Sequence, residues 1–432
     1  MRPVILFSSF LFILRASLSW AAPVPGTPSD ASAASLTLKE CYRWALRQSE
    51  TVAIQQKSIE EAEGRFLQSL SGVLPDVTYI YSDRRQDGRS NANGFTLREV
   101  PERKFTFSQP LFSGFKEFAA IAGSRAEKRQ RRHEKRRAEE TLFVDVADAF
   151  YFFLSYQEDV ETLSEVRQAL VDRVKELKER FDLGRSRASE VASAQARLSR
   201  IEADLESVKG DWMIARQLLG FLTGQEIVSI HDDLETVAVP VKGNDLAKAE
   251  NRDDVRAAFE AWKVAQKQIV VARAGFFPEV SLDGNYYDKR VGNSSGVDWD
   301  VTLSIDVPVF RGGENTGKVR ESKASAGKAQ LIYLETRRRA ALEIENVYTN
   351  LEVALLKEKA LRAAYDAADE NYRLQLDDYR KNLVNNLDVL QALEDLQEMR
   401  RAWTAAAKDT KRLYWNLLVT TGELRDTLGP VD

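Results

Sequence analysis

The ten residues Trp299–Pro308 read Trp-Asp-Val-Thr-Leu-Ser-Ile-Asp-Val-Pro, so Trp299, Val301, Leu303, Ile305 and Val307 alternate with Asp300, Thr302, Ser304 and Asp306. A period of two gives a strand one apolar and one polar face. Ten residues is also the length of a tilted strand crossing a bilayer. Three other segments alternate more weakly: Val77, Tyr79 and Tyr81 with Thr78, Ile80 and Ser82; Phe105 and Phe107 with Thr106 and Ser108; and Val280, Leu282, Gly284 and Tyr286 with Ser281, Asp283, Asn285 and Tyr287. No stretch beyond the N-terminus is long and apolar enough for a membrane-spanning helix, so insertion into a membrane would have to use strands.

At the N-terminus, Arg2, the apolar run Val4–Leu14 and Ser19-Trp20-Ala21-Ala22 read as a secretory signal over 1–22, followed by a loose lead-in over 23–35. The mature chain is therefore expected to be exported. Cys41 is the one cysteine, so no internal disulfide forms, and it lacks the small-residue box of a lipoprotein. Charged residues make up 30 % of the chain but balance to −4. The run Arg125, Lys128, Arg129, Arg131, Arg132, Lys135, Arg136 and Arg137 could suggest nucleic acid. Export and the interleaved Glu127, Glu134, Glu139 and Glu140 favour a solvated helix face or a surface near lipid headgroups, and no nucleic-acid partner is expected. His133 and His231 have no spaced partner for a metal site, and there is no nucleophile elbow or phosphate loop. No catalytic residue, cofactor or metal is expected.

Between the strands lie long helical patterns with little proline. Residues 36–74 read as one helix up to Pro75, and 83–104 as a polar loop. After the second strand, Leu163, Val166, Leu170, Val174, Leu177 and Phe181 step by three or four, the seam of a coiled coil. The pattern breaks at Asp182-Leu183-Gly184 and returns to Thr223-Gly224. A connector spans 225–250. The order then repeats: a helix over 254–277, two strands, a helix from about 314 to 379 and a returning helix to Thr421-Gly422, with a tail over 423–432. Pro110-Leu111-Phe112-Ser113-Gly114 matches Pro308-Val309-Phe310-Arg311-Gly312 at an offset of 198, as Thr223-Gly224 matches Thr421-Gly422. Val73-Leu74-Pro75 matches Phe276-Phe277-Pro278 at 203. The expected fold is mainly α with a membrane β-barrel contribution. Its duplicated unit, helix–strand–strand–helix–turn–helix, covers 36–224 and 251–422.

Four amphipathic strands cannot close a barrel, since the smallest have about eight, and an open edge in lipid leaves backbone groups unsatisfied. The strands must pair between chains. A dimer gives eight strands and a trimer twelve, of which only the larger leaves an open lumen. Thr106, Ser108, Asp283, Asp300, Thr302, Ser304 and Asp306 would line water. Phe105, Phe107, Trp299, Val301, Leu303, Ile305 and Val307 would face lipid, and Tyr79, Tyr81, Tyr286, Tyr287 and Trp299 would form an aromatic girdle. The three lumen aspartates could favour cations or simply be hydrophilic lining.

These features resemble the TolC-like outer membrane efflux proteins. The resemblance is carried by Leu36-Thr37-Leu38-Lys39-Glu40, Leu74-Pro75, Phe277-Pro278, Gln109–Gly114, Asn251-Arg252-Asp253-Asp254-Val255-Arg256-Ala257-Ala258 and Asn386-Leu387-Asp388-Val389-Leu390-Gln391-Ala392. It covers about Leu36–Gly422. It implies a homotrimer with a twelve-stranded barrel in the outer membrane of a Gram-negative-type envelope, above a long periplasmic α-helical barrel. It also implies a passive exit duct of a tripartite efflux or type I secretion system, with a periplasmic adaptor (membrane fusion protein) and an inner-membrane pump or transporter as partners. In that family the helix-pair tips form the periplasmic entrance, here Phe181–Ser193 and Tyr379–Gln391. Asp388 matches a recurring tip carboxylate, so a ring of Asp388 could constrict and charge the entrance. Asp388 and Glu190 read equally as helix N-terminal acids. Arg185 and Arg187 read as adaptor-contacting or gate-bridging residues, or as solvated turn charges. Asn382 stands where the family usually has glycine, and Gln391 where some members carry a second acid. The alternative reading is a periplasmic adaptor of such a system. An autonomous porin-like channel would leave the long helices unexplained.

Overall fold

The computed structural model describes residues 35–87, 90–91, 94–95, 97–235, 237, 245–291, 295–381 and 383–429. The expected signal, nearly all of the lead-in and Asn382 lie outside the described residues. In chain order the first repeat contains α1 (Leu38–Gln48), α2 (Glu50–Ser71), β1 (Asp76–Arg85), the short β2 (Ser90–Asn91) and β3 (Gly94–Phe95), β4 (Glu99–Ser113), α3 (Lys116–Asp182) and α4 (Ala188–Thr223). The second contains α5 (Asp245–Asn251), α6 (Asp253–Ala274), β5 (Glu279–Lys289), β6 (Trp299–Asp306), α7 (Glu314–Arg380), α8 (Asn386–Thr421) and α9 (Leu424–Leu428). α3 and α7 each have 67 residues, about 100 Å at 1.5 Å per residue, and α4 and α8 each have 36. All four begin and end at the offset of 198. α2 and α6, 22 residues each, keep the offset of 203.

Three local readings are corrected. The first helix is broken: Ser49 leaves helical geometry (φ −68°, ψ 112°), ends α1, and caps α2 by accepting from the Val52 amide. The polar segment 83–104 is largely paired, with β1 and β4 continuing past Ser82↔Glu102 to Arg85↔Glu99. The connector contains α5.

β1, β4, β5 and β6 form one antiparallel sheet in that order, and the β4–β5 ladder joins the two repeats. Proline cannot donate to a ladder. Pro110 sits in the central strand β4 only because β1 has already ended opposite Ser108 and β4 bulges against β5 between Pro110 and Phe112. After β4 the chain turns through Gly114 (φ +66°) and Phe115 (φ +64°). A Cβ at Gly114 would lie 2.9 Å from the Ala274 Cα, so only glycine lets this turn touch the end of α6. Beside the sheet the helices pack in the order α2, α3, α6, α7.

Farther along, α3 pairs with α4, α7 with α8, and α3 with α8. The seam residues Leu163, Val166, Leu170, Val174 and Leu177 are buried against Ala194, Leu198, Ile201 and Leu205 of α4, whereas Phe181 is exposed. A compact core, unforeseen from sequence, lies where α1, α3, the end of α4, α8 and α9 converge. Phe143, Phe150, Tyr151 and Phe153 are fully buried there, and Trp415 donates from Nε1 to the Tyr151 hydroxyl at 3.0 Å.

Candidate functional site: sheet faces and hairpin tips

Register makes each face of the sheet continuous. Tyr79, Phe105, Tyr286 and Trp299 are neighbours across all four strands, and the next row on that face is Val77, Phe107, Gly284 and Val301. Leu282 and Leu303, then Val280 and Ile305, continue it toward the helices. Trp299 is 66 % exposed and Ile305 61 %, so this apolar face is uncovered in the single chain. Val307 is also exposed but lies beyond the last residue of β6.

The opposite face carries the rows Thr78, Thr106, Asn285 and Asp300, then Asp76, Ser108, Asp283 and Thr302, then Ser281 and Ser304, then Glu279 and Asp306. All seven residues expected to line water share this face. Asp283 accepts from Ser108 (2.6 Å) and Ser281 (2.7 Å), and Asp300 from Asn285 and Tyr287 (both 2.8 Å). Tyr287 thus belongs to the polar face, under the cations Lys104 and Arg290, and leaves the aromatic girdle. Sequence reasoning missed Asp76, whose face follows only from register, and Glu279. From the Thr78 row to the helices the face holds Asp76, Glu279, Asp283, Asp300 and Asp306 and no lysine or arginine. Lys104 and Arg84 stand nearer the β1–β4 loop, with Lys104 tied to Glu102 at 2.9 Å.

Both sheet edges, β1 and β6, have a single neighbour. On the helix that follows β6, Leu331, Leu334, Leu342, Val353, Leu356 and Leu374 of α7 are exposed. Their spacings are close to whole turns, which aligns them in one stripe. At the other edge, Ile54 and Leu67 of α2 and Met213, Ile214, Leu218 and Phe221 of α4 are exposed. Among the described residues no helix is long and apolar enough to cross a membrane. No group of three His, Cys, Asp or Glu among them could hold a metal ion.

The two hairpin tips differ. At the first, Arg185 and Arg187 are exposed, and Glu190 accepts from the Ser186 hydroxyl (2.5 Å) and the Arg187 amide (3.3 Å). At the second, Asp388 accepts from the Asn385 amide (3.1 Å), and Gln391 donates to Asp395 (2.9 Å). Both acids therefore act as N-terminal caps within one chain. Tyr379 is buried between two guanidiniums of α3, with Arg173 3.8 Å and Arg180 4.9 Å from the ring centroid. Arg180 also donates to the Tyr379 hydroxyl at 3.1 Å. Arg173 donates from Nε to Asn386 Oδ1 at 2.8 Å and from Nη1 to Glu176, leaving Nη2 buried without a partner. Arg173, Arg180, Glu176 and Asn386 were not foreseen. The first three are spaced at three, four and seven residues, and so share one helix face beside the apolar seam.

The basic run on α3 partly ties helices together, Lys128 to Glu63 of α2 and Arg129 and Arg136 to Glu260 and Asp253 of α6, with neighbouring His133 also on Asp253, while Arg131, Lys135 and Arg137 pair with glutamates of α3 itself.

The family model for "Outer membrane efflux protein" matches residues 41–225 and 247–423. Outer membrane protein TolC of Vibrio cholerae serotype O1 is 23 % identical over 401 residues, 88 % of this chain and 86 % of that protein. Outer membrane protein OprJ of Pseudomonas aeruginosa is 26 % identical over 261 residues, covering 57 % and 54 %. Among solved structures, the Campylobacter jejuni CmeC outer membrane channel superposes with a TM-score of 0.81 at 16 % identity, over 90 % of this chain and 86 % of that one.

Proposed function

The chain belongs to the outer membrane efflux protein family, a family of passive channels rather than enzymes, and on that premise we propose that three copies form the exit duct of a tripartite efflux or type I secretion system. One observation carries this reading: a four-stranded sheet with one uncovered apolar face, one polar face and two unpaired edges. In lipid such edges must be satisfied. β6 of one copy pairs with β1 of the next, and three copies supply twelve strands around an open lumen. The α7 stripe then covers the exposed residues of α2 and α4 on the neighbour, a head-to-tail contact that closes into a ring. A periplasmic adaptor would be expected to have short strands without lipid-facing alternation, whereas β6 alternates along its whole length and β5 does so from Glu279 to Tyr286.

The tips form the periplasmic entrance, where an adaptor and an inner-membrane pump or transporter engage. Arg173 and Arg180 hold the second hairpin to the first in the resting state, and opening separates them. The five carboxylates on the helix-proximal half of the lumen favour cations, because field lines concentrate between low-dielectric walls.

The decisive experiment is the native mass of detergent-extracted protein from purified outer membranes, followed by conductance in planar bilayers. A trimer that conducts supports the reading. A monomer, or protein found only in the soluble periplasm, would overturn it. In a salt gradient, Asp76→Asn with Asp283→Asn should lower cation-over-anion permeability about two- to three-fold, since one charge at these separations shifts ion energies by under about 1 kcal/mol in water-like dielectric. Unchanged selectivity would make these residues mere hydrophilic lining.

A further inference from the structure

The two repeats also meet away from sheet and tip, where α3 packs on the start of α6. Arg252, the N-cap of α6, and Asp253, its first residue, are buried. His133 of α3 lies with Nδ1 2.5 Å from Asp253 Oδ1, and Arg136 reaches the same oxygen at 4.0 Å. Two turns along α3, Glu140 is only 8 % exposed and pairs with Arg137 at 3.2 Å. Other charges facing this cluster are already engaged. Arg252 holds Asp254 and Glu343 of α7, with its Nη1 buried and unpartnered. Arg425 of α9 holds Glu139, whose carbonyl accepts from Tyr42 of α1, and Glu63 of α2 is tied to Lys128.

We propose that Glu140, beside the buried His133–Asp253 contact, operates a joint between the repeats, closed when Glu140 holds a proton and loosened at the first turns of α6 when it ionises. Glu140 and Asp253 are both buried, and the charge of Asp253 acts on Glu140. With Glu140 neutral, its charge does not oppose Asp253, which His133 and Arg136 hold. With Glu140 ionised, two buried anions oppose each other, with Arg137 on one and His133 and the more distant Arg136 on the other. Burial, and next to it the charge of Asp253, pushes the Glu140 carboxyl up from 4.5 to about 7. A raised carboxyl favours the closed joint below its ordinary range and loses that contribution as pH rises through about 7. Because α3 follows β4 and α6 leads into β5, loosening here frees one repeat's helix–strand unit from the other. The joint stands whatever passes through the duct.

The test is hydrogen exchange of peptides covering 253–262 in the full chain in detergent, at pH 6 and pH 8, each normalised to unfolded chain at the same pH. For a group titrating near 7 in the closed joint, wild-type protection falls about ten-fold between these values. Glu140→Gln, neutral at both, should flatten most of that fall, while peptides beyond residue 383 behave alike in both proteins. Asp253→Asn, which removes the neighbouring charge, should also weaken the pH dependence and decides the matter if the glutamine variant fails to fold. A wild-type chain with no fall, or an equal fall in both variants, overturns the joint.

Discussion

Phe181 and Tyr379 hold the same place in the two repeats, 198 residues apart, yet Phe181 is 47 % exposed and Tyr379 is 8 % exposed. The same contrast separates Ala188, exposed at the start of α4, from Asn386, 1 % exposed at the start of α8. Backbone and helix length were copied, but the contacts were not: Arg173 and Arg180 of the first repeat reach across to the second hairpin, and among the described residues the second makes no equivalent reach in return. Asn371 and Asp378 stand at the positions matching the two arginines. A duplicated architecture thus carries an asymmetric tip, one hairpin supplying cations and the other an aromatic ring and a buried amide. If the tips form the entrance as proposed, the device that works it lies in the divergence between the repeats, outside what they share.

The sharpest way to break that comparison is Arg173→Ala. A desolvated cation–π contact contributes about 2 kcal/mol, and a hydrogen bond to a buried partner about 1 kcal/mol. Their loss together favours the separated hairpins by about 3 kcal/mol, or about 100-fold in the open-to-closed ratio. Single-channel recording should show the variant mostly open where the parent is mostly closed. Phe181→Ala, at the matching exposed position, should leave gating unchanged. If both variants gate like the parent, the contacts at Tyr379 merely fasten two helices together.

A smaller change separates the ring from its hydroxyl. Tyr379→Phe keeps both guanidiniums over an aromatic face but removes the 3.1 Å bond from Arg180. About 1 kcal/mol is lost, worth roughly five-fold in the same ratio. Phe181→Tyr adds a hydroxyl with no guanidinium waiting and should do nothing. An effect of Tyr379→Phe as large as that of Arg173→Ala would move the control of opening from Arg173 to Arg180.

How much of this the sequence displays follows from range. Period-two alternation over 299–306 and the seam from Leu163 to Leu177 are local patterns, and each survives as strand or helix with the expected face. The offset of 198 reports duplication without reference to any contact. Ser49 was readable as a cap three residues before Val52, but continuous apolar spacing on both sides hid the break. The aromatic core around Phe143, Phe150 and Tyr151 was hidden, because Asp145 and Asp148 interrupt the apolar stretch and its partners on α1, α8 and α9 are far away in sequence. The pairing of Ser82–Arg85 with Glu99–Glu102 lacked any apolar alternation, because outside a buried face only backbone bonds hold the register. Arg173 and Asn386 are 213 residues apart, and no periodicity announces a bond of that span. Even so, register converts a local pattern into a global one. Once β4 pairs with both β1 and β5, Asp76 joins Asp283 on one face without any signal of its own, whereas Glu279 shares that face by the alternation of β5 itself.

The finest distinction concerns the two acids that cap the hairpins alike. Glu190 accepts from the Arg187 amide and Asp388 from the Asn385 amide, so Glu190→Gln and Asp388→Asn should each cost about 0.5–1 kcal/mol of local helix stability. Hydrogen exchange in the first turns of α4 and α8 would read that loss. If capping is their whole role, the two variants match in exchange and leave ion selectivity untouched. If three Asp388 carboxylates also ring the entrance, neutralising them lowers cation permeability in a salt gradient, while Glu190→Gln does not. The contrast is informative because both acids accept from their N-cap amide, so a difference in ion selectivity points to where the tips stand in the assembled duct. Equal selectivity in both would return Asp388 to the plain role of a helix cap and leave the asymmetry of the tips with Arg173, Arg180, Tyr379 and Asn386.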